Sequence, residues 1–427
     1  MQFAPVTRSG PKPVGPIVFK GSVTTMNLAT PRNPRQFCAD HTIHRPHMTQ
    51  TASTALSSAT LLGRVWDPAL EGPLVVTLRD GMVQDITSRA APTVRDICEM
   101  DDPADYVRHA PGRAIGAVAD LETIDVAHRH LLAPSDLQVI KACGVTFARS
   151  MLERVIEEKA AGDPGRAADI RAKVGEIIGG SLRNLKAGSE AAAAVKATLI
   201  REGLWSQYLE VGIGPDAEVF TKAPVLASVG HMADVGLHPI SVWNNPEPEV
   251  VLTVASTGRI VGATLGNDVN LRDVEGRSAL LLGKAKDNNA SCAIGPFIRL
   301  FDESFDIESV RRAELTLTIT GEDGFELTGH SAMAEISRDP ADLVAQTVGR
   351  HHQYPDGFML FLGTMFAPTQ DRDRKGEGFS HKTGDIVTIS APDLGILRNR
   401  VRLSTQCDPW RFGLAQLMRN LSARGLL

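Results

Sequence analysis

Three acidic residues in the middle of the chain have the types and spacing of a divalent-cation site. The first two, Glu247 and Glu249, stand two positions apart just ahead of the apolar run Val-Val-Leu-Thr-Val. In a strand, side chains two positions apart point to the same face, so these two carboxylates would converge. Converging carboxylates repel each other unless a cation lies between them or one takes a proton. By themselves, however, two such glutamates are also typical of a solvated strand edge.

A third acid, Asp268, adds to this pair. It follows a second β-rich segment at residues 260–265, within Asn-Asp-Val-Asn-Leu-Arg-Asp. Three oxygen ligands with room for water suit Mg²⁺, with Mn²⁺ or Ca²⁺ as substitutes. No cysteine or histidine accompanies the three acids, which disfavours zinc. The sequence therefore predicts a magnesium site formed by Glu247, Glu249 and Asp268.

The elements that would position these acids change in character along the chain. Apolar residues at helical spacing predict helices over 135–160, 164–178 and 190–202, the first of them starting at a Ser-Asp cap signal. After about residue 204 the pattern changes to short β segments separated by Pro and Gly. These segments include residues 250–254, 260–265, 313–319 and 386–389.

Three regions are predicted along the chain. Residues 1–56 lack a sustained period and are expected to form a tail with little fixed structure, and Met48 is a candidate natural start. Residues 57–130 begin with a strand-like pattern and an Asp-Gly turn, and are expected to form a small N-terminal domain. Residues 131–427 are expected to form the catalytic domain.

Composition narrows the classes of partner. The net charge is −5 and the sequence pI is about 6.2, which argues against nucleic acid or an anionic membrane as the main partner. Apolar runs are too short to span a bilayer. Five widely spaced cysteines without a Cys-x-x-Cys pair favour reduced thiols in the cytoplasm over disulfides or a zinc site. We expect a cytoplasmic homo-oligomer that acts on a small molecule.

The acidic residues also carry a family resemblance. Glu247-x-Glu249, followed by Gly-x-x-x-x-Asn-Asp268-Val-x-x-Arg-Asp, resembles the metal-binding core of the fumarylacetoacetate hydrolase superfamily. A downstream Lys-Ala-Lys-Asp-Asn-Asn-Ala-Ser-Cys segment resembles the family's catalytic-lysine segment, in which Lys286 matches by spacing and Lys284 is the alternative. The resemblance covers roughly residues 135–427. It implies an α+β fold: a mixed β-roll catalytic domain with flanking helices, and a small N-terminal domain.

One position separates the branches of this superfamily. Its hydrolases and decarboxylases carry a helix whose histidine activates water, but the matching stretch Gly-Val-Thr-Phe-Ala-Arg-Ser has Ser150 there. Serine cannot serve as a general base near neutral pH. This stretch, and those around Glu218 and Thr383, instead resemble the 2-keto-3-deoxy-D-arabonate dehydratases. That branch implies Mg²⁺-dependent dehydration of a 2-keto-3-deoxy-pentonate, a sugar acid, to 2,5-dioxopentanoate.

The resemblance suggests roles for further residues. Glu218 is the candidate acid or base, and Lys286 would stabilise an enolate or move a proton if the site lowered its pKa. Thr383 would position the substrate hydroxyls. Each of these three residues could instead be an ordinary turn or loop residue. The predicted substrate-binding residues are Arg149, Ser150 and Ser331.

Two alternatives remain open from the sequence. The first is an acylpyruvate-type hydrolase or oxaloacetate-type decarboxylase on the same scaffold, which the presence of Glu153 favours. The second is a non-catalytic protein that binds a metabolite. It would be expected to have lost part of the ligand set, whereas the three acids and Lys286 are all present.

Overall fold

The structure, a computed structural model, describes residues 59–427 except 124, 162, 168, 171–184, 202 and 204, and except the side chains of residues 148–150. The tail predicted over residues 1–56 lies outside the described residues, as does most of the helix predicted over 164–178. All described residues belong to one unit, Thr49–Leu427.

Short strands make up much of the described fold, in keeping with the β-rich segments separated by Pro and Gly. In chain order the strands are β1 (Leu61–Asp67), β2 (Gly72–Arg79), β3 (Met82–Asp85), β4 (Arg113–Ala117), β5 (His130–Leu132), β6 (Val139–Gly144), β7 (Glu218–Ala223), β8 (Asp234–Leu237), β9 (Asn244–Asn245), β10 (Pro248–Val254), β11 (Ile260–Asp268), β12 (Asn270–Leu271), β13 (Cys292–Leu300), β14 (Glu314–Thr320), β15 (Glu326–Ala332), β16 (Phe358–Phe361), β17 (Ile386–Ala391) and β18 (Gly395–Leu403).

These strands form one long sheet, one shorter sheet and a small two-stranded ladder. The long sheet has the order β4-β3-β2-β1-β13-β11-β10-β16-β6-β7, and β5 pairs with β1. The shorter sheet has the order β15-β14-β17-β18-β8, and β9 pairs with β12. Most pairs are antiparallel, but β16 with β6 and β18 with β8 are parallel. The sheets are therefore mixed, as expected.

The long sheet is buried on both faces at its centre. One face of β10, with Val250 and Leu252, packs in the largest core against shorter-sheet residues such as Leu317 and Ile389. Val251, on the opposite face, packs in a second core beneath the helices near the chain's start. Burial on both faces explains why β10 reads as a continuous apolar run rather than an alternating one.

Helices cover the sheets and often begin at side-chain caps. Thr93, Asp102, Ser206, Asp306 and Asp339 each accept a backbone N–H at a helix start, as short polar side chains do there. The helices described are α1 (Val94–Cys98), α2 (Pro103–His109), α3 (Val118–Leu121), α4 (Ala148–Ala160), α5 (Glu190–Arg201), α6 (Gln207–Ile213), α7 (Arg272–Glu275), α8 (Leu282–Lys286), α9 (Ile307–Arg311), α10 (Pro340–Thr347) and α11 (Leu414–Ala423), with 3₁₀ turns at Ala279–Leu281 and Met333–Glu335.

One predicted helix is partly wrong. The segment 135–160 was expected to be helical throughout, but Val139–Gly144 is strand β6 and the helix begins only at Ala148. β6 is flanked by β16 and β7, so sheet hydrogen bonds on both sides outweigh its helical spacing. The helix predicted over 190–202 is confirmed as α5.

The first strands of the predicted N-terminal domain are continuous with the rest of the fold. β1 pairs with β2 on one side and with β13 on the other, so the long sheet runs through this region. The boundary predicted at residue 130 stays a prediction. Among the described residues, no helix has the length and apolar character needed to cross a membrane.

Candidate active site

The structure brings the three predicted metal ligands together at one end of the β10–β11 pair. Glu247 immediately precedes β10, Glu249 lies within it, and Asp268 ends β11. The backbone N–H of Asp268 donates to the Glu247 carbonyl at 3.0 Å, which places these two residues opposite each other. One carboxylate oxygen from each of the three acids lies within 4.8 Å of the others, and all three side chains are buried. We call Glu247, Glu249 and Asp268 the acidic triad.

Cationic side chains hold two members of the triad. The Lys286 ammonium donates to Glu247 Oε2 at 2.5 Å and to Asp268 Oδ2 at 2.8 Å. Arg154 donates to the other oxygen of Glu247. Lys222 forms an ion pair with Asp268 Oδ1 at 2.7 Å. Each oxygen of Glu247 and Asp268 therefore faces a buried positive charge.

Glu249 is held differently. Its carboxylate accepts the Gly363 N–H at 2.7 Å and the Thr364 hydroxyl at 3.4 Å. Gly363 has φ +103°, and a side chain there would overlap the Thr146 hydroxyl, so only glycine presents its N–H in this way. Neutral donors compensate a buried carboxylate less than cations do.

The surroundings push the two glutamates in opposite directions. Burial opposes ionisation of Glu247, but the charges of Arg154 and Lys286 outweigh it and lower the pKa of Glu247 to about 2. Burial, reinforced by Asp268 and Glu247, raises the pKa of Glu249 well above its usual value. The ionised form of Glu249 is therefore disfavoured in the site, and a bound cation would stabilise it.

A buried ionic network, in which Arg154 is central, extends behind the triad. Besides Glu247, the Arg154 guanidinium contacts Glu157 at 2.7 Å and Glu275 at 2.9 Å. Arg272 pairs with Glu157 at 3.0 Å and donates to the Pro368 carbonyl at 3.2 Å. The network ties α4 and α7 to the strand end that bears the triad.

Glu218 lies at the start of β7, opposite Gly144 of β6. A side chain at position 144 would overlap the Glu218 carboxylate, so Gly144 provides the space that this group occupies. Burial, reinforced by Glu275 and opposed by Arg154 and Lys286, raises the pKa of Glu218 to about 7. A carboxyl with that pKa can exchange a proton near neutral pH.

Lys286 is favoured over Lys284 by position. Lys286 is buried against the triad, whereas Lys284 is exposed on the same short helix. Its ammonium lies 5.9 Å from the centre of the Phe220 ring. Burial disfavours its charge, but Asp268 and Glu247 outweigh burial and raise its pKa above the usual value. The lowered pKa considered from the sequence is not found, because two carboxylates contact the ammonium.

The other candidate residues are not brought to the triad by any described hydrogen bond or ion pair. Thr383 is exposed in the turn before β17. Ser331 lies on β15, and its buried hydroxyl has no hydrogen-bond partner in the described part of the chain. Arg149 and Ser150 lie in the first turn of α4, but their side chains are outside the described residues. The roles suggested for these four residues stay predictions.

Sequence reasoning assigned no role to several residues of the site. Lys222 stands four positions after Glu218, and the two-residue period of a strand would place both side chains on one face of β7. This period could have indicated Lys222. Arg154 and Glu275 could not have been found in this way, because they lie on separate helices. Arg154 contacts both Glu247 and Glu275 only in the folded chain.

The donor set fits a hard divalent cation. The triad offers only carboxylate oxygens, which Mg²⁺ prefers and zinc sites rarely use alone. In the group formed by the triad and the ion pairs that extend from it through Arg154, five described acids face four described cations, so a net negative charge remains when all are ionised. The acids of this group are Glu157, Glu247, Glu249, Asp268 and Glu275, and its cations are Arg154, Lys222, Arg272 and Lys286.

Comparison with known families gives the relationship that the site suggests. Residues 224–402 match the C-terminal domain of fumarylacetoacetate hydrolase. They form a domain of the fumarylacetoacetate hydrolase family. This domain contains the whole triad and Lys286, whereas Glu218, Lys222 and Arg154 come from the chain before it.

Two curated relatives of the chain carry dehydratase names. The chain is 31% identical over 185 residues to 2-dehydro-3-deoxy-D-arabinonate dehydratase of Saccharolobus solfataricus, an alignment that covers 43% of the chain and only 58% of the relative. It is 27% identical over 326 residues to a probable 2-keto-3-deoxyxylonate dehydratase of Haloferax volcanii, covering 76% of the chain and 93% of the relative.

Solved structures support the fold. A 2-keto-3-deoxy-D-arabinonate dehydratase, complexed with magnesium and 2,5-dioxopentanoate, matches with a TM-score of 0.56 and 21% identity, over 80% of this chain and 99% of that one. The fumarylacetoacetate hydrolase of Exiguobacterium antarcticum matches with a TM-score of 0.50 and 16% identity, over 81% and 100% of the two chains. At these identities the matches show the fumarylacetoacetate hydrolase fold and nothing finer.

Proposed function

We propose that this protein is a Mg²⁺-dependent hydro-lyase that dehydrates a 2-keto-3-deoxy-pentonate of the D-arabonate type to 2,5-dioxopentanoate. The observation that carries the proposal is the contact of Lys286 with the acidic triad, near Glu218, whose pKa responds to the charges of Lys286 and Glu247, in a chain whose curated relatives are named pentonate dehydratases. The triad would hold Mg²⁺, with Mn²⁺ or Ca²⁺ as substitutes.

The reaction removes one water from the substrate. A base takes a C3 proton, which is acidic because C3 is next to the ketone, and the C4 hydroxyl leaves with a proton. Proton shifts in the remaining C5 alcohol then give the aldehyde. Mg²⁺, when bound, would supply a Lewis acid that stabilises negative charge developing on the ketone oxygen.

The pKa values of the two side chains suggest a division of roles. Lys286 stays an ammonium group because two carboxylates contact it, so it acts as a fixed positive charge and hydrogen-bond donor rather than as the base. Glu218, with a pKa of about 7, is partly ionised near neutral pH. It takes the C3 proton as a carboxylate and, once protonated, donates to the leaving C4 hydroxyl.

Dehydration needs no activated water, which agrees with the serine at position 150. A hydrolase of acylpyruvates requires a base that deprotonates water, and Ser150 cannot be that base. Glu153, buried on the same helix, is the residue that could replace it. The hydrolase alternative is therefore included in the test.

In the test, the purified full chain is incubated separately with each C4 epimer of 2-keto-3-deoxypentonate and with an acylpyruvate. Each incubation is done once with Mg²⁺ and once with chelator. We expect semialdehyde from one pentonate epimer, no turnover in chelator, and restoration by Mg²⁺. Glu218→Gln should lower kcat about 10²–10⁴-fold. The exposed Glu303→Gln is the matched control and should retain full activity. Efficient cleavage of the acylpyruvate with no reaction of either pentonate would show the proposal to be wrong.

A further inference from the structure

Lys222 is a fully buried lysine that the reaction described above does not use. It lies on β7, four residues after Glu218, and its side chain has no exposed surface. An ammonium group has three N–H donors, and removing it from water is costly unless they are satisfied. Here the ammonium donates to the Val269 carbonyl at 3.2 Å and to the Lys286 carbonyl, and it forms an ion pair with Asp268 Oδ1 at 2.7 Å.

These three partners of Lys222 belong to the two parts of the site that must work together. Asp268 is a member of the triad, and Val269 is the next residue along the chain. Lys286 is the last residue of α8, so its carbonyl is one of those that a helix leaves without an internal partner. Ser291 also donates to this carbonyl, at 2.7 Å. Lys222 thus caps the C-terminal end of α8, which bears Lys286, and also forms an ion pair with Asp268.

The Asp268 carboxylate lies between two ammonium groups. Its Oδ1 contacts Lys222 and its Oδ2 contacts Lys286, so both oxygens have fixed directions. Loss of Lys222 would remove the ion pair of Oδ1 and the donor to the Val269 carbonyl, and would leave the Lys286 carbonyl to Ser291. Partners behind a metal ligand orient it, and their loss typically weakens metal binding about 10–100-fold.

We propose that Lys222 is a positioning residue that holds Asp268 and the Lys286 end of α8 in a single arrangement. The Asp268 carboxylate and the Lys286 ammonium then keep the same position relative to each other. The inference rests on the proposed function in one respect, that the acidic triad binds Mg²⁺. It assigns Lys222 no contact with substrate and no proton transfer.

A role of Lys222 as a positive charge and a role in positioning Asp268 predict opposite changes in Mg²⁺ affinity when residue 222 is neutral. If Lys222 mattered only as a positive charge, its removal would strengthen Mg²⁺ binding, because the cation would meet one more uncompensated carboxylate. If Lys222 positions Asp268, its removal weakens Mg²⁺ binding despite the more negative site. The sign of the change in affinity therefore separates the two roles.

The experiment titrates metal-free full-length protein with Mg²⁺ alone in a calorimeter and compares two variants with wild type. Lys222→Met removes the charge and every donor, whereas Lys222→Gln removes the charge but keeps two N–H donors. We expect the Kd for Mg²⁺ to rise about 10–100-fold in Lys222→Met and less in Lys222→Gln. At saturating Mg²⁺, kcat should fall while KM for the keto acid changes little, because Lys286 is misplaced.

Lys141→Met is the matched control. Lys141 lies on the neighbouring strand β6, is partly exposed and donates to Thr221, away from the triad. Its variant should bind Mg²⁺ within twofold of wild type. Thermal unfolding of the metal-free proteins identifies any variant that fails to fold, and Lys222→Gln still provides the test if Lys222→Met does not fold.

The outcomes separate this inference from the proposed function. Equal or tighter Mg²⁺ binding by both Lys222 variants, with wild type binding normally and dehydrating the pentonate, would overturn the positioning role alone. Absence of Mg²⁺ binding by folded wild-type protein would overturn both proposals. Weaker binding that is partly retained by Lys222→Gln would support the positioning role.

Discussion

Glu218 and Lys286 lie in one buried region but have different protonation behaviour, because different charges surround them. In the described part of the chain no cation contacts Glu218 directly, and burial and Glu275 raise its pKa to about 7. Lys286 contacts two carboxylates, so it keeps its proton despite complete burial. Environments that move two titratable groups in this way are typical of acid–base sites.

The pH dependence of the rate should therefore reflect Glu218. Its carboxylate form is the proposed base, so kcat/KM should fall as the pH drops through the pKa, at or below about 7 because a bound cation favours the ionised form. A pH–rate profile at saturating Mg²⁺ tests this expectation. The residual activity of Glu218→Gln should not show this fall at low pH. The same fall in the variant would assign the titration to another group.

Glu249 allows the metal site to be tested without activity. Glu249→Gln keeps the size of the side chain but replaces a charged ligand with a neutral one, so the affinity for Mg²⁺ should fall at least about tenfold, as measured by calorimetry. The metal-free variant should be at least as stable to heat as metal-free wild type, because repulsion from Asp268 and Glu247 is relieved. Unchanged affinity together with a lower Tm would contradict a ligand role.

At the scale of elements, the β6–β7 pair determines where Glu218 lies. The register places Glu218 opposite Gly144 and Phe220 opposite Ala142, and a register shift then leaves Lys222 without a partner on β6. A slip of one residue would turn Glu218 and Phe220 to the other face. The pairing of these two strands thus positions the proposed base.

Gly144→Ala should test this arrangement. The new methyl group would overlap the end of the Glu218 side chain, which can move without disturbing the backbone, so Tm should change little. We expect kcat to fall about 10–100-fold, since a small misplacement of a reacting group has effects of this size. Gly283→Ala is the control, because a methyl group there meets nothing within 4 Å. Equal activities of the two variants would argue against the Glu218 position described here.

At the scale of the whole molecule, the site depends on segments far apart in the chain. Arg154 of α4 contacts Glu247 and also Glu275 of α7, while Gly363, beyond β16, holds Glu249. The long and shorter sheets share one core below these segments. The described site and core lie entirely within Thr49–Leu427. Association into a homo-oligomer stays a prediction.

Residues 1–47 should therefore be dispensable. Their sequence lacks the apolar period of a packed element, so their deletion should leave Tm within about 2 °C and kcat/KM within twofold of the full chain. Differential scanning calorimetry and the dehydration assay measure the two quantities. A deletion of Arg419 to Leu427 is the contrasting variant, since it removes the buried Leu421 and should lower Tm. A large loss of either quantity on N-terminal deletion would show that this segment contributes to the fold.

The sequence by itself predicted the acidic triad, and the family resemblance implied the mixed α+β fold. The triad depends on local spacing: Glu247 and Glu249 share a face through the two-residue period of a strand, and Asp268 follows at the end of the next strand. Spacing alone misjudged residues 139–144, because a short apolar segment becomes strand or helix according to its neighbours.

The charges that surround the triad are known only from the tertiary structure. Arg154, Lys222 and Glu275 come from α4, β7 and α7, and their partners lie between 46 and 121 residues away in the chain. The same contacts decided that Lys286 rather than Lys284 is buried and that its pKa is raised rather than lowered. Burial and the sum of nearby charges depend on distances in space, and no sequence period encodes those distances.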